Sequence, residues 1–329
     1  MNILLSSAGR RVELLRIFQT TLRTLGMVGN VIAVDTEALA PTLHLADRSY
    51  IVPRINDPNY INTLLQICQQ EQVDLLFPTI DTELPLYSVA LEQFKEIGTD
   101  IVISSPLAVH ISQDKWETYQ FFKRHGITTP NSWLPEQLAH IPRHFPLFIK
   151  PRFGSSSENT FKIESEEQLQ FFSRYVPQAI IQEFISGYEV TNDIICDLRG
   201  QLLEVVSRRR ITTRCGEVAR GVTLYSPFAR ACAERLNKLL QFRGVVTLQY
   251  MMQGDVPYFT EINARLGGGA PLSVVAGANF AEWFIMQKGN LPFTLPDGWR
   301  YREGVYFSRY DESYTMNETQ YHAMESRHI

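Results

Sequence analysis

Short apolar runs alternating with amphipathic stretches organise the first hundred residues, and they restrict the fold more than any other feature. Ile3-Leu4-Leu5 is followed by Val12, Leu14, Leu15 and Phe18 at helical spacing. Val31-Ile32-Ala33-Val34 reads as a strand ending in the carboxylate of Asp35, and Asp57-Pro58 opens a helix through Leu64, Leu65 and Cys68. Val73 through Phe77 and Ile101-Val102-Ile103 supply further strands. Runs this short, separated by helices, predict an α/β architecture built on a parallel sheet.

On this reading residues 1–112 form an N-terminal Rossmann-like domain. The loop after its first strand holds only Gly9 and no G-x-G-x-x-G, so the dinucleotide fingerprint is missing. A second unit, residues 113–186, begins at Asp114-Lys115-Trp116 with a helix through Phe121 and Phe122 that Pro130 closes. Residues 147–150, 160–163 and 179–182 are strand-like, and a helix over 166–175 lies between the last two, which describes a small α+β module. The third unit, residues 187–310, opens with a hairpin that turns at Arg199-Gly200. A helix over 228–240 then precedes two strands, 245–251 and 258–263, joined at Gln253-Gly254-Asp255. Residues 311–329 are polar and poor in aliphatic side chains, which predicts a frayed or loosely docked tail.

Charge and composition remove several partners. A net charge of −4 is opposite in sign to the basic excess of a dedicated nucleic-acid binder. No apolar run reaches the roughly 20 residues that span a bilayer, and the first ten residues lack the basic leader and long apolar segment of a signal peptide. Neither nucleic acid nor membrane is expected as a partner. Cys68, Cys196, Cys215 and Cys232 show no C-x-x-C spacing and read as reduced structural thiols, so a cytoplasmic setting is expected.

The chemistry concentrates in the last hairpin. Strand alternation puts Glu261 and Asn263 on one face, about 7 Å apart at roughly 3.3 Å per residue. Folding back across the turn at Gly254 brings Gln249 opposite Glu261, to within about one residue of register. Three oxygen-bearing side chains then share one patch of sheet, and hard cations such as Mg²⁺ prefer oxygen ligands. Arg265 adds a permanent charge in a planar fork suited to phosphate. Gly267-Gly268-Gly269 lets backbone approach a ligand. A solvent-facing strand followed by a glycine turn is the plainer reading of the same residues.

Gln249 together with Thr260-Glu261-Ile262-Asn263-Ala264-Arg265-Leu266-Gly267-Gly268-Gly269 resembles the metal and phosphate segment of ATP-grasp proteins. It is most similar to the large subunit of carbamoyl-phosphate synthetase and its free-standing relatives, in order over residues 3–290. The resemblance implies an ATP-grasp fold with a Rossmann-like parallel-sheet domain, a small α+β lid and a C-terminal α+β domain. It implies ATP and Mg²⁺ as cofactors, with one or two ions and Mn²⁺ able to substitute. Gln249, Glu261 and Asn263 would hold the metal, and Arg265 would be the catalytic cation. Lys115, in Gln113-Asp114-Lys115, and Lys150, in Phe148-Ile149-Lys150-Pro151, would reach the phosphates. Ser155, Ser156 and Ser157 match the loop that closes over the β- and γ-phosphates. Gln182, Glu183, Phe184 and Ile185 match the adenine hinge, and Glu189 the ribose carboxylate. Each taken alone is also an ordinary turn, surface charge or strand end; their shared order and spacing support the joint reading.

The activity so implied is an ADP-forming ligase that activates a small-molecule carboxylate, amino-acid or peptide-like, for attack by an amine, with a homodimer as the default assembly. Alternatives on the same scaffold are a phosphotransferase, phosphorylation of bicarbonate or carbamate, and a non-catalytic nucleotide sensor. Full carbamoyl-phosphate synthetases carry two such modules, and this chain has one. Arg208-Arg209-Arg210 through Arg214, with Glu217 and Arg220, reads either as a substrate or phosphate pocket or as a solvated charge run. Asp81 and Glu83 follow a strand, where open α/β sheets bind ligands, and helix capping is the competing role. Asp35 stands in the same position.

Overall fold

The computed structural model describes residues 1–154, 158–214, 216–296 and 298–326. The apolar runs of the first hundred residues pair as a parallel sheet of β1 (Asn2–Ser6), β2 (Val31–Asp35), β3 (Arg48–Ile51), β4 (Val73–Pro78) and β5 (Asp100–Ile101), in the order β3-β2-β1-β4-β5. Both faces are covered, which is why the strands are apolar throughout rather than alternating. Helix α1 (Val12–Thr24) lies on the face of Ile3, Leu5 and Phe77. After the short α2 (Pro41–Leu45), α3 (Tyr60–Gln70) and α4 (Leu84–Glu96) pack on the face of Leu4, Ile32 and Leu76. The edge strand β3 is absent from the sequence expectation; it has only four residues, with Arg48 exposed. Connections run in opposite directions from β1 and β4, so their carboxyl ends form the crevice where such sheets take ligands.

Helices α5 (Pro106–Gln113) and α6 (Lys115–Arg124) follow. An antiparallel sheet comes next, with β6 (Ser132–Trp133), β7 (Leu147–Pro151), β8 (Phe161–Ile163) and β9 (Ala179–Glu183) ordered β6-β9-β7-β8 and α7 (Glu166–Tyr175) on one side. The sequence reading grouped the helix of Phe121 and Phe122 with this small module. The chain packs both rings elsewhere, in a core shared with Leu248, Phe259 and Ile262. Periodicity shows that a helix has an apolar face but not which sheet that face meets.

That core belongs to an antiparallel sheet of β10 (Tyr188–Cys196), β11 (Leu202–Arg214), β12 (Glu217–Leu224), β13 (Gly244–Gln253), β14 (Val256–Asn263) and β15 (Tyr306–Ser308), ordered β14-β13-β10-β11-β12-β15. Helix α8 (Pro227–Leu240) covers its apolar face through Ala229, Ala233 and Leu236. Downstream, α9 (Pro271–Val275) and α10 (Phe280–Lys288) return to the parallel sheet, where Phe280 and Phe284 join the core of Phe18 and Phe77. Ile195, Val206 and Val245 reach into the same core, so the first and last units share one continuous interior.

The tail departs from expectation. β15 adds to the edge of β12, Arg16 pairs with Glu312 at 2.9 Å, and Tyr314 stacks on His44 at 4.8 Å. Helix α11 (Glu318–Glu325) starts in a capping box of Asn317 and Gln320 and buries Met324 in the N-terminal core. Among the described residues Met324 and the ion pairs Arg16–Glu312 and Arg214–Asp311 dock this segment, a signal too sparse for a composition-based reading. Cys68, Cys196 and Cys232 are buried and free, and burial pushes each thiol up to about 12. Cys215 lies outside the described residues. Among the described residues no helix is long and apolar enough to cross a membrane.

Candidate active site

The three sheets meet around a cavity of about 660 Å³. Its floor is the polar face of the large sheet. The hairpin of β13 and β14 turns at Gly254, whose φ of +57° favours glycine, and its register sets Gln249 against Glu261 and Thr247 against Asn263. All four line the cavity. Among the described residues no three His, Cys, Asp or Glu side chains cluster as a metal site. One carboxylate and two amides would leave a divalent ion to complete its shell with ligand oxygens, which is how Mg²⁺ is held alongside phosphates. The donor set fits that ion.

Two lysines stand over this patch. Lys115 opens α6, 3.7 Å from Glu261 Oε1, and donates to the carbonyl of Gly154 at 2.6 Å. Asp114 caps the helix by accepting from the Trp116 amide and also pairs with Arg152, so it ties α6 to the end of β7. Lys150, on β7, is 8% exposed. Burial pulls its ammonium down to about 8, against the opposing pull of Glu261, and the Lys115 charge adds to the fall.

The lid side closes on the segment after β9. Glu183 accepts from the backbone and side-chain nitrogens of Asn131, both at 2.9 Å, and Gln182 donates to Ser132 Oγ at 2.8 Å. Both side chains thus lace β9 to the chain at β6, while Phe184 and Ile185 line the cavity. Glu189 pairs with Arg210 at 2.6 Å. Ser155, Ser156 and Ser157 lie outside the described residues.

At the opposite end, Arg265 donates through Nε and Nη2 to Asp81 Oδ2, at 3.0 and 2.5 Å, and through Nη1 to the Leu266 carbonyl. Of the two strand-end acids, Asp81 therefore faces the cavity, whereas Glu83 is sealed. Glu83 is 0% exposed and accepts the hydroxyls of Ser6, Ser7 and Tyr60, and burial raises its carboxyl above the usual range. Asp35 accepts the Gly9 amide at 2.7 Å and does not line the cavity.

The solvated reading of the arginine run fails for Arg208, which is 1% exposed and pairs with the fully buried Asp193 at 2.5 and 3.0 Å. Ser273 Oγ also donates to Asp193. This pair explains part of the glycine triplet: a Cβ on Gly269 would fall 2.6 Å from Arg208 Nε, and one on Gly267 2.5 Å from Thr247 Oγ1. Sequence reasoning also missed Arg11 and Arg309, which share the carboxylate of Glu217 at 2.7 and 2.8 Å. The strand-end rule applied to Asp81 would have pointed to Arg11, in the loop after β1.

A parallel-sheet domain, an antiparallel lid and an antiparallel sheet, closed on one cavity with an acid–amide patch and paired lysines, define the ATP-grasp class of proteins. Residues 112–269 match the ATP-grasp domain and residues 3–102 the PylC-like N-terminal domain, so the chain carries an ATP-grasp domain behind a PylC-like one. It is 24% identical over 209 residues to the D-alanine–D-alanine ligase of Petrotoga mobilis, covering 56% of this chain and 70% of that one. To the carbamoyl-phosphate synthase of Methanobrevibacter smithii it is 26% identical over 171 residues, covering 50% of this chain and 45% of that protein, so it spans under half of that relative's length. Among solved structures, the biotin carboxylase domain of Hydrogenobacter thermophilus 2-oxoglutarate carboxylase, in complex with MgADP and bicarbonate, has a TM-score of 0.71. At 16% identity over 93% of this chain and 73% of that one, this likeness shows the fold.

Proposed function

We propose that this chain is an ADP-forming carboxylate–amine ligase acting on small molecules. The observation that supports it most is the convergence of Gln249, Glu261, Asn263, Lys115, Lys150 and Arg265 on one cavity. A carboxylate resists amine attack because its charge repels nucleophiles and oxide is a poor leaving group. Transfer of the γ-phosphoryl of ATP to a carboxylate oxygen breaks the bond to the β-phosphate and releases ADP. The amine then forms the new C–N bond as inorganic phosphate departs with the acyl oxygen, and the amine's proton passes to solvent.

In such a transfer the protein's work is positioning and charge stabilisation. Glu261, Asn263 and Gln249 would hold one or two Mg²⁺ ions, and Mn²⁺, which shares the preference for oxygen donors, is expected to substitute. The metal would supply neutralisation of phosphate charge. Lys115 and Lys150 fix phosphate oxygens, while Arg265, oriented by Asp81, faces the transferring group. Closure of the lid keeps water from the activated acyl group. A cytoplasmic homodimer remains our reading of setting and assembly.

The test is ADP release from MgATP across a matrix of amino acids and small carboxylates paired with amines, with products identified by mass. Stimulation is expected only by particular pairs, with an amide product. A stable phosphorylated carboxylate and no amide would make the chain a phosphotransferase instead.

Lys150 gives the nucleotide site a pH dependence. In the free protein its proton is lost as pH rises through about 8, and only the charged form attracts phosphate. MgADP affinity is therefore expected to fall above pH 8, by at most about tenfold per pH unit. In Lys150→Met, calorimetric titration should find weaker binding and no such slope between pH 7 and 9.

A further inference from the structure

Four arginines among the described residues line the cavity, and they differ in what their nitrogens have left to do. Arg265 has all three nitrogens engaged by Asp81 and the Leu266 carbonyl. Arg208 and Arg210 each have both terminal nitrogens bonded and the remaining Nε enclosed. Arg11 donates only through Nη1, to Glu217 Oε1 at 2.7 Å. Its Nε and Nη2 have no protein partner among the described residues and are not sealed, and its side chain keeps 20% of its surface open. Nε and Nη2 are one edge of the guanidinium fork, the edge that takes a carboxylate through two parallel bonds.

The surroundings hold that edge in place. The loop carrying Arg11 is tethered at Gly9 by Asp35, at Ser7 by Glu83, and at the Ser7 and Gly9 carbonyls by Thr79 and Thr42. Glu217 is itself gripped on its other oxygen by Arg309, which also donates to the Gly268 carbonyl. A Cβ on Gly268 would lie 2.4 Å from Arg11 Nη1, so only glycine there leaves room for the pair. Two guanidiniums share one carboxylate in this cluster, which leaves one positive charge uncompensated. Burial, together with the charges of Arg265 and Arg309, pulls the Arg11 guanidinium down from its ordinary value, with Glu217 opposing.

We infer that Arg11 is the anchor for the carboxylate substrate, with Glu217 and Arg309 as positioning residues that aim it. The assignment rests on the ligase reading and adds the group that recognises the acyl substrate. It makes bidentate carboxylates the substrate class and sets them beside Arg265, which faces the transferring phosphoryl group.

The test compares wild type with Arg11→Met and Arg11→Lys, using glycine, D-alanine, L-glutamate, acetate and bicarbonate as carboxylate probes in MgATP-dependent ADP release with an excess of amine. MgADP binding and the melting temperature are measured alongside. For whichever probe is active, Arg11→Met is expected to raise the half-saturating carboxylate concentration by about 10–100-fold. MgADP affinity should stay within about twofold. Arg11→Lys keeps the charge and loses the fork, and should show the same selective effect at smaller size; it answers the question even if the methionine variant does not fold. Unchanged carboxylate saturation in both variants would overturn the assignment. So would a parallel loss of MgADP affinity and melting temperature, which would make Arg11 a structural latch. ADP release stimulated by no probe in wild type would instead bring down the ligase reading, and this assignment with it.

Discussion

Glu261→Gln is expected to lower kcat for ADP release by about 10²–10³ while leaving the fold intact. The substitution preserves shape and removes one negative charge from a patch that holds only one carboxylate beside two amides. Its neighbours in the patch, Gln249 across the hairpin and Asn263 two residues along the same strand, are neutral and cannot restore that charge. The loss is also electrostatic for the lysines, because Glu261, more than Glu189, raises the Lys150 ammonium against burial, and it lies 3.7 Å from Lys115. Losing a preorganised group that acts on developing charge costs about 3–4 kcal/mol in such sites. The Glu261 side chain keeps 21% of its surface exposed, so stability should change little. The check is steady-state kinetics with MgATP saturating, alongside thermal unfolding. Wild-type turnover in this variant would remove Glu261 from any metal-binding role.

The second large effect is on stability. Asp193→Ala is expected to destabilise the fold by about 3–5 kcal/mol, because it strands the Arg208 guanidinium in the interior without its counter-charge. The side chains are 0% and 2% exposed, so solvent cannot take over. Ser273 Oγ loses its acceptor at the same time. Arg208 also packs closely on Gly269, where a Cβ would fall 2.6 Å from its Nε. Replacing both members with apolar residues, Asp193→Leu with Arg208→Met, should recover much of the loss, because the penalty comes from the unpaired charge more than from the missing pair. Urea unfolding of the single and double variants measures the difference. A single variant as stable as wild type would mean that water reaches Arg208.

The two residues mark different depths of legibility. Glu261, Asn263 and Gln249 could be read from the chain because a hairpin converts sequence separation into contact by a fixed rule. With a turn at Gly254 and a period of two, the partner of Glu261 has to be close to Gln249, and it is. The strands β1, β2 and β4 were legible for a similar reason: burial on both faces demands continuous apolar runs. Asp193, by contrast, carries no such local signal, standing beside Thr191 and Asn192 in β10. Its need for Arg208 became visible only when β10 and β11 were paired side by side.

The tail and the helix of Phe121 and Phe122 show where local signals stop. Amphipathic spacing announced the helix, but a stripe of apolar side chains carries no address, and it packed on the large sheet. The tail lacked the aliphatic density that announces a core, yet Met324 and Glu312 found partners on surfaces built by residues 16 to 51.

Dihedral preference, side-chain period and turn chemistry act over a few residues, so the amino-acid order was enough for strands β1, β2 and β4 and for the hairpin pairing to within about one residue, while a bulge between Gln249 and Tyr250 sets the final register. Arg11 and Glu217 stand 206 positions apart, and Arg265 and Asp81 stand 184 apart. Their pairings follow from the packing of whole sheets against one another, with loop-closure entropy outweighed by a shared apolar interior. The orientation of the arginines around the cavity, and which of them keeps a free edge, was therefore settled by the assembled fold alone.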